Sequence, residues 1–106
     1  MTLPTPIAAY FSADRNDADA VVCCFAEHAV VMDERQTYVG RDAIRQWKTD
    51  ASAKFSYAVE PHAVTQQRDK IVVTGRVSGD FPGSPVDLRY AFEVGDGEIT
   101  RLEITP

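Results

Sequence analysis

From Phe55 to the end of the chain, side-chain character changes with a period of two, and this restricts the fold more than any other feature. Phe55, Tyr57 and Val59 alternate with smaller or polar neighbours, as do Ile71, Val73 and Val77, and then Leu88, Tyr90, Phe92 and Val94. Alternation of this kind puts every second residue on one face of an extended strand, so four strands with one apolar face each are predicted. Turn residues separate them at Arg68 to Lys70, at Gly79 to Pro85 and at Gly95-Asp96-Gly97, where glycine permits the positive φ of a tight hairpin. Successive strands joined by short turns pair antiparallel, which gives a meander. Pro61 interrupts the first strand and cannot donate to a ladder, so it predicts an edge or a bulge that bends the sheet.

The first half has a different period. Thr5 followed by Pro6 predicts a helix start, running to about Asp14, with Ile7, Tyr10 and Phe11 at the i, i+3, i+4 spacing of one buried stripe. Asp17 and Asp19 predict an N-cap and a first-turn carboxylate for a second helix through Ala26, with Val21, Val22, Cys24 and Phe25 turned inward. Ala29 to Asp33 is apolar and partly β-branched, Glu34 to Thr37 is a polar turn, and Tyr38 and Val39 resume extended structure, so a short hairpin is expected. Gly40 then opens the longest helix, Arg41 to about Lys54, whose apolar face is marked by Ile44, Trp47 and Ala51. Helices, a hairpin, a long helix and four long strands make an α+β plan, read as one domain over residues 1–106. A bent sheet of this length is not filled by one long helix and a short helical pair, so a cavity between sheet and helices is the expected by-product.

Charge and composition narrow the partners. With a formal net charge of −5 and no basic cluster, the chain lacks the counterion-releasing face that nucleic acid or an anionic membrane requires. No apolar run approaches the roughly 20 residues of a membrane span, and the N-terminal residues show no leader pattern, so a cytoplasmic location is expected. The two cysteines, Cys23 and Cys24, are adjacent on a predicted helix, a poor geometry for a mutual disulfide or a shared metal, and read as reduced thiols. His28 and His62 have no ligand spacing to each other or to the cysteines, so no metal site is expected. Nucleophile elbows, phosphate-binding glycine loops and dinucleotide fingerprints are absent from the sequence.

Four segments carry a family resemblance over about Pro6 to Thr105: Tyr10-Phe11-Ser12-Ala13 with Asn16, Cys24-Phe25-Ala26-Glu27-His28-Ala29-Val30-Val31-Met32-Asp33, Gly40-Arg41-Asp42-Ala43-Ile44-Arg45-Gln46-Trp47, and Phe92-Glu93-Val94-Gly95-Asp96-Gly97-Glu98-Ile99. In their order and spacing the chain resembles the NTF2-like superfamily, and within it the SnoaL-like group of polyketide cyclases and ketosteroid isomerases. The resemblance implies a cone-shaped NTF2-like or cystatin-like fold, a curved antiparallel sheet wrapped around N-terminal helices with an internal pocket. It also implies no cofactor. In the isomerases an aspartate eight positions after a helix 2 phenylalanine shuttles a proton, and Phe25 and Asp33 stand in that relation. Tyr10 matches a helix 1 tyrosine that donates to the developing oxyanion. Where the isomerases place a protonated aspartate this chain has Tyr90, and where they place a further tyrosine, one position after the aromatic of the third helix, it has Lys48. Those two replacements argue against a ketosteroid isomerase proper.

The candidate proton-transfer group is therefore Asp33: facing a cavity, its carboxyl would be desolvated and usable as an acid or base near neutral pH. Tyr10 and Tyr90 are candidate donors to a carbonyl oxygen. Trp47 and Tyr57 are expected as pocket walls, with Phe25, and His62 just after the proline bulge, as further pocket candidates. The expected ligand is a small apolar carbonyl compound. Arg76, Arg89, Arg101, Glu93 and Glu103 are expected to form cross-strand ion pairs on the sheet face away from the helices, and that face is the expected homodimer surface, since the family is commonly dimeric. The competing reading is a non-catalytic ligand-binding or protein-interaction domain. The two are separated by Asp33, which a binding module would leave pointing to solvent or locked by several backbone donors.

Overall fold

The structure, a computed structural model, describes residues 2–13 and 17–106. Asp14, where the first helix was expected to end, and Asn16, part of the resemblance, lie outside the described residues. The first helix, α1 (Thr5–Ala13), buries Ile7, Tyr10 and Phe11, the stripe its spacing predicts. It begins one residue earlier than expected: the Pro4 carbonyl accepts from Ala8 N at 2.9 Å, so Thr5 is helical and Pro6 sits in the first turn, where a missing N–H costs nothing.

The second helix is shorter than predicted. α2 (Ala18–Val22) is capped by Asp17, whose Oδ1 accepts from Ala20 N at 3.0 Å, and stops at Cys23. The chain turns into β1 (Phe25–Asp33) because the Cys24 carbonyl accepts from Ile99 N at 2.9 Å and Phe25 pairs with Ile99. Phe25 is thus a strand residue, and Cys23 is exposed while Cys24 is buried. Glu34 and Arg35 form the hairpin turn to β2 (Gln36–Val39), both with positive φ, 52° and 66°. Two successive left-handed residues suit the right-handed strand twist, at a cost that non-glycine residues bear.

Next comes α3 (Arg41–Lys54), matching its predicted bounds, then β3 (Tyr57–Gln67), β4 (Lys70–Gly79), β5 (Val86–Gly95) and β6 (Glu98–Thr105). They form one six-stranded sheet in the order β2-β1-β6-β5-β4-β3. All neighbouring pairs are antiparallel except β1 with β6, which is parallel. Pro61 behaves as expected: β3 is an edge strand, and its register with β4 shifts between Pro61 and Ala63.

This order explains the cavity. β2 and β3 are opposite edges of the sheet, and α3 is the segment that joins them. Its 14 residues span about 21 Å, against about 24 Å for the width of six flat strands, so the sheet has to curl to bring both edges to the helix. One end of the enclosed space is filled by Ile7, Tyr10, Phe11, Phe25, Phe92, Ile99 and Leu102. The other end is open.

Candidate active site

The open end holds a cavity of about 640 Å³ between α3 and the inner sheet face, within the range of small-molecule sites. Val77, Val86, Leu88 and Ile104 supply apolar wall from the sheet, and Trp47 and Ala51 supply it from α3. Phe55 and Phe81 meet edge-to-face at the rim, ring centroids 6.0 Å apart. Asp33, Tyr10, Tyr90, Trp47 and Tyr57 all line this one space.

Asp33 is brought there by strand alternation. Val31, two residues earlier on β1, is fully buried on the inner face, and Asp33 follows it on that face one step nearer the opening. Its register neighbours are Ile104 and then, one strand further, Tyr90, about 10 Å away. Its Oδ2 accepts from Trp47 Nε1 at 3.0 Å. Burial pushes its carboxyl above the ordinary carboxylate value, and the neighbouring Glu34 charge adds to that. The Trp47 hydrogen bond, the Lys48 ammonium and a hydrogen bond from the Glu34 backbone pull the other way without cancelling it.

Tyr90 and Tyr57 are seated by glycines. A Cβ on Gly75 would approach Tyr90 Cε1 to 3.1 Å and Val59 Cγ1 to 3.1 Å, so the bare backbone makes room for the Tyr90 ring. A Cβ on Gly79 would collide with the Ser56 carbonyl and lie 2.8 Å from the Tyr57 Cβ. The start of β3 is pinned against that glycine by Asp80, whose N donates to the Ser56 carbonyl at 3.1 Å and whose Oδ1 accepts from Ser56 N at 2.9 Å.

Two expected pocket residues lie elsewhere. Phe25 is fully buried in the packed end, its ring 5.9 Å from that of Tyr10, because it starts a strand instead of facing inward from a helix. His62 sits at the β3 register shift with its side chain half exposed, and its Nε2 is 3.7 Å from Asp87 Oδ1. Asp87 also pairs with Arg76 on the outer face, so the bulge turns His62 away from the cavity.

The cavity residue of most chemical consequence outside the sequence candidates is Lys48. Lys48 is only 4% exposed, and its Nζ donates to Tyr57 Oη at 3.0 Å while lying 4.6 Å from the Trp47 ring centroid. Its position was available in the spacing: Lys48 follows Ile44 by four and precedes Ala51 by three, on the inward stripe of α3. Among the described residues, no group of three or more His, Cys, Asp or Glu side chains could hold a metal ion, and no helix is long and apolar enough to cross a membrane.

The family model for the SnoaL-like domain matches residues 7–102, nearly the whole fold including every cavity side chain from Tyr10 to Tyr90. The chain belongs to the SnoaL-like domain family. A provisionally assigned polyketide cyclase from Sinorhizobium meliloti is 47% identical, with a TM-score of 0.92 over 97% of this chain and 95% of that one. A protein with a ketosteroid isomerase-like fold from Catenulispora acidiphila, solved with trimethylamine, is 20% identical, with a TM-score of 0.87 over 99% and 87% of the two chains. A cystatin-fold protein from Novosphingobium aromaticivorans is 18% identical, with a TM-score of 0.81 over 100% and 99%. The NTF2-like, cystatin-like architecture expected from the sequence is thus the one observed. Comparison with curated proteins finds no match.

In this SnoaL-like chain the cavity combines one carboxylate held by an indole, one buried ammonium and several phenols in an apolar enclosure. Groups of this kind can move a proton and offset charge on a substrate oxygen.

Proposed function

We propose that this SnoaL-like protein is a cofactor-free cyclase or isomerase that acts on a small, mainly apolar carbonyl compound, with Asp33 transferring the proton. The observation that carries this reading is the state of Asp33. Its carboxyl lies in the cavity, oriented by the Trp47 indole and raised in pKa by burial, instead of being exposed or locked by several backbone donors. A base of raised pKa has more driving force for taking a proton from carbon than an ordinary surface carboxylate. The polyketide cyclase assignment of the 47% identical relative supports the same chemistry. A pure binding module gains nothing from partly burying a carboxylate, which costs folding energy.

The test is α-proton exchange. Deuterium incorporation from D₂O into a panel of enolisable aryl ketones and β-diketones is followed by NMR with the wild-type protein and with Asp33→Asn. The expected result is catalysed exchange by wild type on at least one member and a loss of about 10²–10⁴-fold in the variant, with the fold intact by circular dichroism. Exchange at the same rate in Asp33→Asn, or at the uncatalysed rate with wild type across the panel, overturns the reading.

A further inference from the structure

A buried lysine is costly to place in a cavity, and among the described residues Lys48 is the buried charged side chain. Taking an ammonium out of water is tolerated only where the surroundings return interaction energy. Here they are aromatic. The Nζ lies 4.6 Å from the Trp47 centroid, 5.5 Å from Tyr57 and 5.6 Å from Tyr10, and it donates to the Tyr57 hydroxyl at 3.0 Å. Ring faces attract a cation, and Lys48 lines the cavity together with these three aromatic residues. Trp47 also organises the whole arrangement, because the same indole that carries Lys48 over its face holds Asp33 through Nε1. Base and cation therefore stand on two sides of one rigid ring.

We propose that Lys48, positioned by Tyr57, is the anion seat of the cavity, and that the substrate is an enolisable carbonyl compound whose oxygen becomes an enolate or phenolate against that ammonium. This rests on the carbonyl reading above and deepens it. In the step, Asp33 takes the α-proton and becomes a neutral carboxyl, and the C–H electron pair forms the C=C bond. The C=O π pair moves onto oxygen, where the Lys48 ammonium and the Tyr57 hydroxyl offset the new charge. The proton then returns from Asp33 to carbon in an isomerisation; in a ring closure the enolate carbon attacks the carbon of a second carbonyl, whose π pair moves onto its oxygen and takes the proton from Asp33. Atoms and electrons balance without a further reactant. The seat also predicts that stable oxyanions of planar aromatic compounds bind without reacting.

The probe is 4-nitrophenol, at a pH where the free phenol is neutral and colourless. Wild-type protein is expected to bind it as the yellow phenolate, and Lys48→Met to bind it about 10- to 100-fold more weakly and in the neutral form. Tyr57→Phe, which keeps the ammonium, should weaken binding less than Lys48→Met and still show phenolate. Asp33→Asn should bind phenolate as well as or better than wild type, because a negative neighbour is removed. Neutral phenol bound by wild type, no binding by wild type, or phenolate bound equally by a folded Lys48→Met protein overturns the proposal. Should Lys48→Met fail to fold, the wild-type colour and the Asp33→Asn arm still decide it. The two readings fail separately. Loss of phenolate binding with intact exchange removes only the anion seat, whereas phenolate binding with no catalysed exchange removes the proton transfer and leaves the seat.

Discussion

Two adjacent rows of side chains on the inner sheet face differ sharply although the same strands supply both. In one row Val31, Leu102 and Phe92 lie side by side across β1, β6 and β5, each with no exposed surface. Two residues along each strand, the next row reads Asp33, Ile104 and Tyr90. The first row is closed by α1, whose Tyr10 and Phe11 rings meet Phe92 edge-to-face at centroid distances of 5.6 and 5.8 Å. The second row borders the cavity, where Trp47 and Lys48 face it from α3, while its Tyr90 end is still covered by α1 through Phe11, ring centroids 5.1 Å apart. One step of about 7 Å along a strand thus separates packing from chemistry. Charge is placed in the row that borders the cavity, at the end away from α1, where a substrate can be both desolvated and reached.

The largest effect expected from this contrast is on stability. Phe92→Ala empties the centre of the closed row and should cost about 3–5 kcal/mol in urea denaturation. Asp33→Asn, one row away, should change stability by about 1 kcal/mol or less, because it removes a desolvated carboxylate while the amide oxygen can still accept from Trp47. A cost for Asp33→Asn comparable to that of Phe92→Ala would make the open row structural and dissolve the distinction.

How much of this contrast was legible in the sequence depends on how local its causes are. The four long strands, the α3 bounds and the Pro61 register shift follow from alternation, turn residues and a missing N–H, all read within a few residues. The inward direction of Asp33 also follows from Val31 two residues before it. The end of α2 was not legible. The segment from Val21 to Val31, apolar except at Glu27 and His28, suits helix or strand equally, and the decision is made by pairing of Phe25 with Ile99, at the far end of the chain. Phe25 was misplaced for that reason. His62 was misdirected because a bulge can aim a side chain to either face. In the sequence Lys48 stands out only as a departure from the isomerase pattern. Its burial depends on how far the sheet curls over α3, which no local pattern records.

A middle-sized effect sharpens the electrostatics of the open row. Because the folded-state pKa of Asp33 is raised, its contribution to stability is complete below the unfolded value and is lost as pH rises through the folded value. The stability of wild type relative to Asp33→Asn should therefore fall with rising pH, in a window above the ordinary carboxylate range. Trp47→Phe removes the hydrogen bond that opposes the shift, so the same window should move upward. Carbon NMR titration of the Asp33 carboxyl in both proteins reads it directly. A midpoint at the ordinary carboxylate value in wild type would mean that the open row is as wet as the protein surface.

The smallest effect belongs to the other side of the same sheet. Arg101 and Glu93, register partners on β6 and β5, approach to 3.4 Å with side chains 41% and 30% exposed. An ion pair in that setting is screened by water and salt, so a double-mutant cycle of Arg101→Ala and Glu93→Ala should give a coupling of about 0.2–1 kcal/mol that shrinks as salt is added. The outer face then contributes little electrostatically, in contrast to the partly buried Asp33 carboxylate and the buried Lys48 ammonium on the inner side. A coupling well above this, insensitive to salt but dependent on protein concentration, would show the pair to be desolvated in solution. Only a covering surface could do that, and the concentration dependence would identify it as a second copy of the chain.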